Sequence, residues 1–139
     1  MLKIELLDWE AAQREAKRIR FTVFVEEQRV PADLEMDEND AASLHALAYG
    51  DGQAIGTGRL LPDGHIGRMA VLKDWRGRGA GRAMLRRLIE AARQRGHREV
   101  ALSAQVHALE FYRAEGFEPD GPVYEEAGIP HQSMRRKLR

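Results

Sequence analysis

Apolar and polar positions follow two different periods along this chain, and the switches between them mark its elements. Residues 2–7, LKIELL, alternate and predict a first strand. Asp8 is a good N-cap for a helix starting at Trp9. From Trp9 to about Glu27, apolar residues fall at Ala12, Ala16, Ile19 and Val23 with Phe24, the spacing of one helix face. The run FTVFV at 21–25 is β-branched and aromatic, which blurs the end of that helix. Residues 28–43 are polar, contain Pro31 and have no period, so they predict a long loop that could hold one helical turn. Three apolar runs come next: LHALAYG (44–50), QAIGTGRLL (53–61) and HIGRMAVL (65–72). Asp51-Gly52 and Pro62-Asp63-Gly64 separate them, which predicts an antiparallel meander. Over 79–95, Met84, Leu85, Leu88, Ile89 and Ala92 form one stripe, and Gly96 closes an amphipathic helix. REVALSA (98–104) predicts a strand and HALEFYRAE (107–115) a short helix stopped by Gly116. A Gly/Pro-containing stretch (119–130) and a final strand, QSMRRKL (132–138), complete the chain.

The element order is therefore β-α-β-β-β-α-β-α-β-β. It predicts one α+β domain over residues 1–139, with a mixed, mostly antiparallel sheet flanked by helices. At this length a chain can bury a real core without staples. There are no cysteines, which removes disulfides, thiolate metal sites and a Cys nucleophile. The first residues, MLKIELLDWE, lack an apolar signal core and no run approaches 18 apolar residues, so the expectation is a soluble cytoplasmic protein without a membrane partner.

Basic and acidic residues number 22 each, a balance that disfavours nucleic acid as a partner. The balance hides an asymmetry. Residues 76–98 hold eight Arg and one acid, whereas residues 26–40 hold seven acids and one base. These are either two solvated faces or a site for an anion facing a rim for a cation.

The segment RGRGAGR (76–82) joins a predicted strand to a predicted helix. First-turn N–H groups and the helix dipole favour an anion there, and glycine lets it come close. A P-loop is excluded, because Gly81-Arg82 stands where Lys and a hydroxyl would be needed. A dinucleotide fingerprint is excluded as well, because LSAQ carries no acid at the end of the next strand.

Arg76-Gly77-Arg78-Gly79-Ala80-Gly81 fits the pattern Arg/Gln-x-x-Gly-x-Gly/Ala. In this the chain resembles the GCN5-related N-acetyltransferase (GNAT) family, whose loop of this form binds the pyrophosphate of acetyl-coenzyme A. QVHALEFYRAEGF (105–117) resembles that family's downstream element, with Gln105 standing where Asn is usual. FTVFVEEQRVP (21–31), His45 and EEAGIPHQSM (125–134) look like the bacterial ElaA-like branch. The resemblance implies the GNAT fold and an N-acetyltransferase that uses acetyl-CoA, without a metal, on a small-molecule or peptide amine. Direct attack in a ternary complex is expected, as monomer or homodimer.

Residue by residue, the resemblance implies that Met69, Ala70 and Val71 pair with pantetheine. Arg76, Gly77, Arg78, Gly79, Ala80, Gly81 and Arg82 would hold the pyrophosphate. Gln105, Phe111 and Tyr112 would line the cofactor, and Tyr112 would protonate the leaving thiolate. For the base, Glu26, Glu27, His45, His65 and His131 remain open, with Glu27 first and His65 placed at the start of the strand carrying Met69. Glu26, Glu27 and His45 are the expected acceptor contacts, and the acidic stretch suits a cationic amine. Rival readings are a non-catalytic acyl-CoA-binding module, acyl-homoserine lactone synthesis, and a nucleic-acid binder using the Arg-rich helix. No His pair has metal-ligand spacing.

Overall fold

A computed structural model describes residues 1–138. Strand β1 (Leu2–Leu7) leads through the Asp8 cap into helix α1 (Trp9–Arg20), where the Asp8 carboxylate accepts a 2.9 Å bond from the Ala11 N–H. The helix does not end at the β-branched run. It widens over Phe21–Glu27 into a π-helical turn, as the 3.2 Å bond from Gln28 N–H to the Val23 carbonyl shows. The segment after it holds two short turns, helix α2 (Ala32–Glu35) and a 3₁₀ turn at Asp40–Ala42, one more than the sequence suggests.

Strands β2 (Leu44–Gly50), β3 (Gln53–Leu60) and β4 (Ile66–Val71) form the expected meander, with sheet order β1-β2-β3-β4 and antiparallel pairing throughout. Asp51 and Gly52 connect β2 to β3 with φ of 52° and 79°, the two positive values that a type I′ turn requires. Alternation along β2 sends Ala46 and Ala48 toward one helix, and Leu47 toward Ala12 and Ala16 of α1.

Helix α3 (Ala80–Gln94) buries the predicted stripe of Met84, Leu85, Leu88, Ile89 and Ala92. That stripe packs on the first sheet through Ile55 and Leu60. It also packs on a second sheet, order β5-β7-β6, through Val100, Leu102 and Met134. Strand β5 is Glu99–Gln105, helix α4 is Leu109–Ala114, and β6 (Glu118–Glu126) and β7 (Ile129–Lys137) form a hairpin. The Gly/Pro-containing stretch is thus mostly strand. Pro119, Gly121 and Pro122 sit at a register shift between Pro119 and Val123, which masks the alternation.

Between the sheets, β4 and β5 are parallel neighbours joined at one bridge, His65 to Ala101. Beyond it they belong to different sheets, so among the described residues the β4 edge facing β5 has no strand partner. A cleft of about 330 Å³ occupies the gap.

A buried ion cluster fixes the wall opposite. Arg20, on the α1 face that the apolar spacing reserves for the core, is 1% exposed. Its guanidinium meets Glu35 and both Asp40 oxygens, the latter at 2.9 and 3.1 Å. Arg59 of β3 holds Asp37 by two 2.7 Å bonds and Asp40 by one at 2.9 Å, and Arg68 of β4 reaches Asp37 at 3.2 Å. Three guanidiniums thus face three carboxylates across α1, α2, β3 and β4. Burial works against the charge on Arg20, but the hydrogen bonds it donates to Asp40 and Glu35 outweigh it and raise its pKa. For Asp40, burial opposes ionisation and the Arg20 and Arg59 contacts overcome it; for Asp37, the Arg59 hydrogen bonds lead, and both carboxyls are held below their ordinary range.

His45 is part of this interior. Its Nε2–H donates to the Asp40 carbonyl at 2.9 Å, its ring lies 4.7 Å from Trp9, and burial lowers its pKa.

The cluster has consequences for stability that can be measured. Replacing Asp40 with Asn leaves Arg20 and Arg59 undercompensated in the interior, and urea denaturation should show a loss of about 3–5 kcal/mol. A loss below about 1 kcal/mol would mean that the cluster is not a structural constraint. The pH dependence has a definite sign. His45 folds neutral, so stability should fall as pH drops below about 6.5, where the unfolded imidazole takes a proton. Asp37 and Asp40 contribute fully above about pH 4, and that contribution is lost as pH falls through their depressed folded values. Urea midpoints measured from pH 8 to pH 3 check both limbs.

Candidate active site

The cleft between β4 and β5 is walled by Met69 and Val71 on one strand and by Leu102 and Gln105 on the other. Val23, Phe24 and Gln28 of the π-helical turn and Tyr112 of α4 complete its surround. Met69 fits because β3 offers glycine opposite: a Cβ on Gly58 would lie 2.3 Å from its sulfur. Ala70 points the other way and is buried against Ile19, Val23 and Ala54.

At the end of β4, a 3₁₀ turn (Lys73–Trp75) leads into the Gly-rich loop. Gly77 and Gly79 have φ of 77° and 91°, and a Cβ on either would meet no atom within 4 Å. The loop therefore needs glycine for its backbone, and open space lies beside it. Helix α3 starts at Gly79 without a side-chain cap, so the N–H groups of its first turn face outward. Ala80 is buried under the loop, and Phe111 rests 3.5 Å from the Cβ position of Gly81.

The arginines of the loop are placed differently from one another. Arg76 donates to the Val71 carbonyl at 2.9 Å and to Glu27 at 2.8 Å, tying β4 to the π-helical turn. Arg78 lies over the Trp75 ring at 4.8 Å, and Arg82 is exposed, 4.0 Å from Glu115.

These positions correct several expectations. Glu27 is the partner of Arg76 and does not line the cleft, so it is not placed as a free base. His65 stands at the closed end of β4 with its side chain out in solvent, 3.0 Å from Asp63. His45 is buried beneath α1 and cannot touch an acceptor. Glu26 is exposed and outside the cleft wall. Three acids of the acidic stretch, Glu35, Asp37 and Asp40, turn inward to arginines and so do not contribute to a rim for a cation.

The structure brings other groups together. Gln105 and Gln28 exchange two amide hydrogen bonds, 2.9 and 3.1 Å, and His107 Nε2 lies 2.7 Å from Gln105 Oε1. Gln105 sits directly opposite His131 in the β5–β7 register. His131 lines the cleft at 7% exposure, with Nδ1 2.7 Å from the Ile129 carbonyl. A carbonyl only accepts, so Nδ1 carries a proton, and in the neutral ring Nε2 then holds the lone pair. Glu126 lies 3.9 Å from that Nε2.

Tyr112 packs edge-on between Phe111 and Phe117, at centroid distances of 5.0 and 6.0 Å. Burial pushes its phenol up to about 12. Gln28 lies in the ElaA-like segment FTVFVEEQRVP and Arg68 in the predicted strand HIGRMAVL, but neither is among the expected site residues, and both stand on the cleft wall.

Residues 10–138 match the family model described as an acetyltransferase (GNAT) domain. The Bacillus subtilis protein named "uncharacterized N-acetyltransferase YjcF" is 35% identical over 127 residues, covering 88% of this chain and 91% of its own. Escherichia coli ElaA is 32% identical over 129 residues, covering 87% of this chain and 84% of its own. Its crystal structure superimposes with a TM-score of 0.87 over 99% of this chain and 100% of that one. An acyl-CoA N-acyltransferase from Pseudomonas aeruginosa, 32% identical, superimposes at 0.86 over 98% and 99% of the two chains.

Proposed function

This chain belongs to the GNAT acetyltransferase family and is an acyl-CoA N-acyltransferase; from that premise we propose that it passes an acetyl group from acetyl-CoA directly to a primary amine in the β4–β5 cleft. The observation that carries this reading is the unpartnered β4 edge, which runs from the cleft to the Gly-rich loop. Because α3 packs beneath both sheets, the described residues act as one acyltransferase domain.

The pantetheine arm lies along that free edge and pairs with its backbone as an added strand would. The pyrophosphate meets the N–H groups at the start of α3, and the open space beside Gly77 and Gly79 admits it. Arg78 and Arg82 are exposed enough to turn toward the phosphates, while Arg76 holds the loop to the cleft through Val71 and Glu27. An N–H of the Met69–Val71 segment donates to the thioester oxygen as it becomes an oxyanion.

Chemistry then needs an amine with its lone pair free. The amine nitrogen attacks the carbonyl carbon, its proton passes to Nε2 of His131, and the C–S bond breaks as the tetrahedral adduct collapses. His131 suits this because its tautomer is fixed by Ile129 and its Nε2 is free to accept. Tyr112 acts on the sulfur. A phenol near 12 is a weaker acid than a thiol, about 8.5 for a cysteine side chain, so full transfer of its proton is uphill. Its role is to donate a hydrogen bond as thiolate charge develops, and the thiol regains its proton afterwards.

Two experiments test this reading. Isothermal titration with acetyl-CoA should show binding to the wild type that Gly81→Glu weakens about tenfold or more, because a carboxylate then meets the pyrophosphate. Gly81 has ordinary helical space, and an acid suits a first turn, so the variant should remain folded. Equal binding by both would remove the phosphate from this loop. In a thiol-release assay over a panel of amines, Tyr112→Phe and His131→Ala should each lower kcat about 10²-fold with acetyl-CoA binding kept. Unchanged turnover in both variants would reduce these residues to packing.

A further inference from the structure

Arg68 is the cluster member that the interior does not use up. We infer that the amine acceptor also carries a carboxylate, and that the guanidinium of Arg68 on the cleft wall receives it. The acceptor class is then an amino acid or another amino-carboxylate. This rests on the acyltransferase reading for the fate of the amine, but not for the binding of the carboxylate.

Four observations converge. First, Arg20 and Arg59 are 1% and 5% exposed, but a quarter of the Arg68 side chain is accessible, and it lines the cleft. Second, its backbone is strained. Arg68 has a φ of 50° in the middle of β4, where the pairing jumps from Arg59–Gly67 to Thr57–Ala70. A left-handed arginine inside a strand is an outlier that the surroundings must hold in place, and such strain concentrates at binding sites. The jump turns its side chain out of the ladder toward Asp37 and toward Glu35, which lines the cleft.

Third, its donors are largely unspent. Nε donates to the Glu35 carbonyl and Nη2 to Asp37, each at 3.2 Å. Of the five N–H groups of a guanidinium, three remain without a partner among the described residues, including both on Nη1. Fourth, its carboxylate neighbours are more closely engaged elsewhere. Asp37 is held by two 2.7 Å bonds from Arg59. Glu35 is in contact with Arg20 and stands 4.0 Å from Arg68. Burial, followed by the charge of Arg59, lowers the pKa of Arg68.

A planar fork with free N–H groups matches a carboxylate. The cleft has a complementary pole for the other end of such an acceptor, where His131 Nε2 and Glu126 stand together. Arg68 and His131 line the same cleft, so we place the carboxylate of an amino-carboxylate at Arg68 and turn its amine toward His131.

The test uses ligands that differ only in the charge at issue. Isothermal titration, with coenzyme A present, compares the N-acetyl derivatives of the twenty amino acids with their C-terminal amides. At least one acid should bind the wild type tenfold or more tighter than its amide, and Arg68→Gln should erase that difference. Arg68→Gly is the second variant. Glycine suits a φ of 50°, so it removes the guanidinium while relieving the backbone, and it should erase the difference too. No difference between acid and amide across the panel, or a difference that survives in both variants, overturns the proposal. Thiol release from acetyl-CoA with the free amino acids separates the two readings. Carboxylate-dependent binding without turnover sinks the transferase and spares the subsite. Turnover of simple amines with no preference of acid over amide does the reverse.

Discussion

Strand β4 is paired along one edge only, and the site depends on that constraint. A continuous ladder to β5 would close the gap and merge the two sheets. Instead the strands meet once, at His65 and Ala101, and then part. The separation costs backbone hydrogen bonds on two strand edges, so something else must hold the sheets together. Helix α3 does this. Its buried stripe packs on Ile55 and Leu60 of one sheet and on Val100, Leu102 and Met134 of the other, and each fully buried Leu contributes about 1.5–3 kcal/mol. The apolar layer stays continuous underneath while the polar edge stays open above.

The ion cluster sets the other wall. The segment between the π-helical turn and β2 is mostly polar and would be loose on composition alone. Its acids instead enter the interior and meet arginines from three other elements. Balanced in charge and largely hydrogen-bonded, such a cluster adds less net stability than a hydrophobic replacement could, but it fixes position closely. It holds α2 and the π-helical turn against β4, which keeps Gln28 within reach of Gln105 and Arg68 at the cleft surface.

Local rules make much of this legible in the sequence. The α3 stripe and the Asp51-Gly52 turn depend on neighbours within a few residues, so pattern alone identifies them. The β6–β7 hairpin is harder to see, since Pro119, Gly121 and Pro122 interrupt its period and Ala127 occupies a positive-φ turn position usually given to Asn or Gly. The charges mislead for a physical reason. Arg20 lies 20 residues from Asp40 and Arg59 lies 22 from Asp37, so composition shows an acidic segment where the fold has a neutral interior. Glu27 is neutralised in the same way at longer range, matched by Arg76. The acidity of Tyr112 and the tautomer of His131 depend on packing and on a single carbonyl, and neither leaves a mark on the sequence.

Amide hydrogen exchange with and without coenzyme A tests the central claim most directly, because it reads the β4 edge residue by residue. Slowed exchange at Met69–Val71 and at residues 76–82, with β1 and β2 unaffected, is what a cofactor lying along the open edge requires. Protection elsewhere, with β4 exchanging as before, would mean that the gap between the two sheets is not where the cofactor binds.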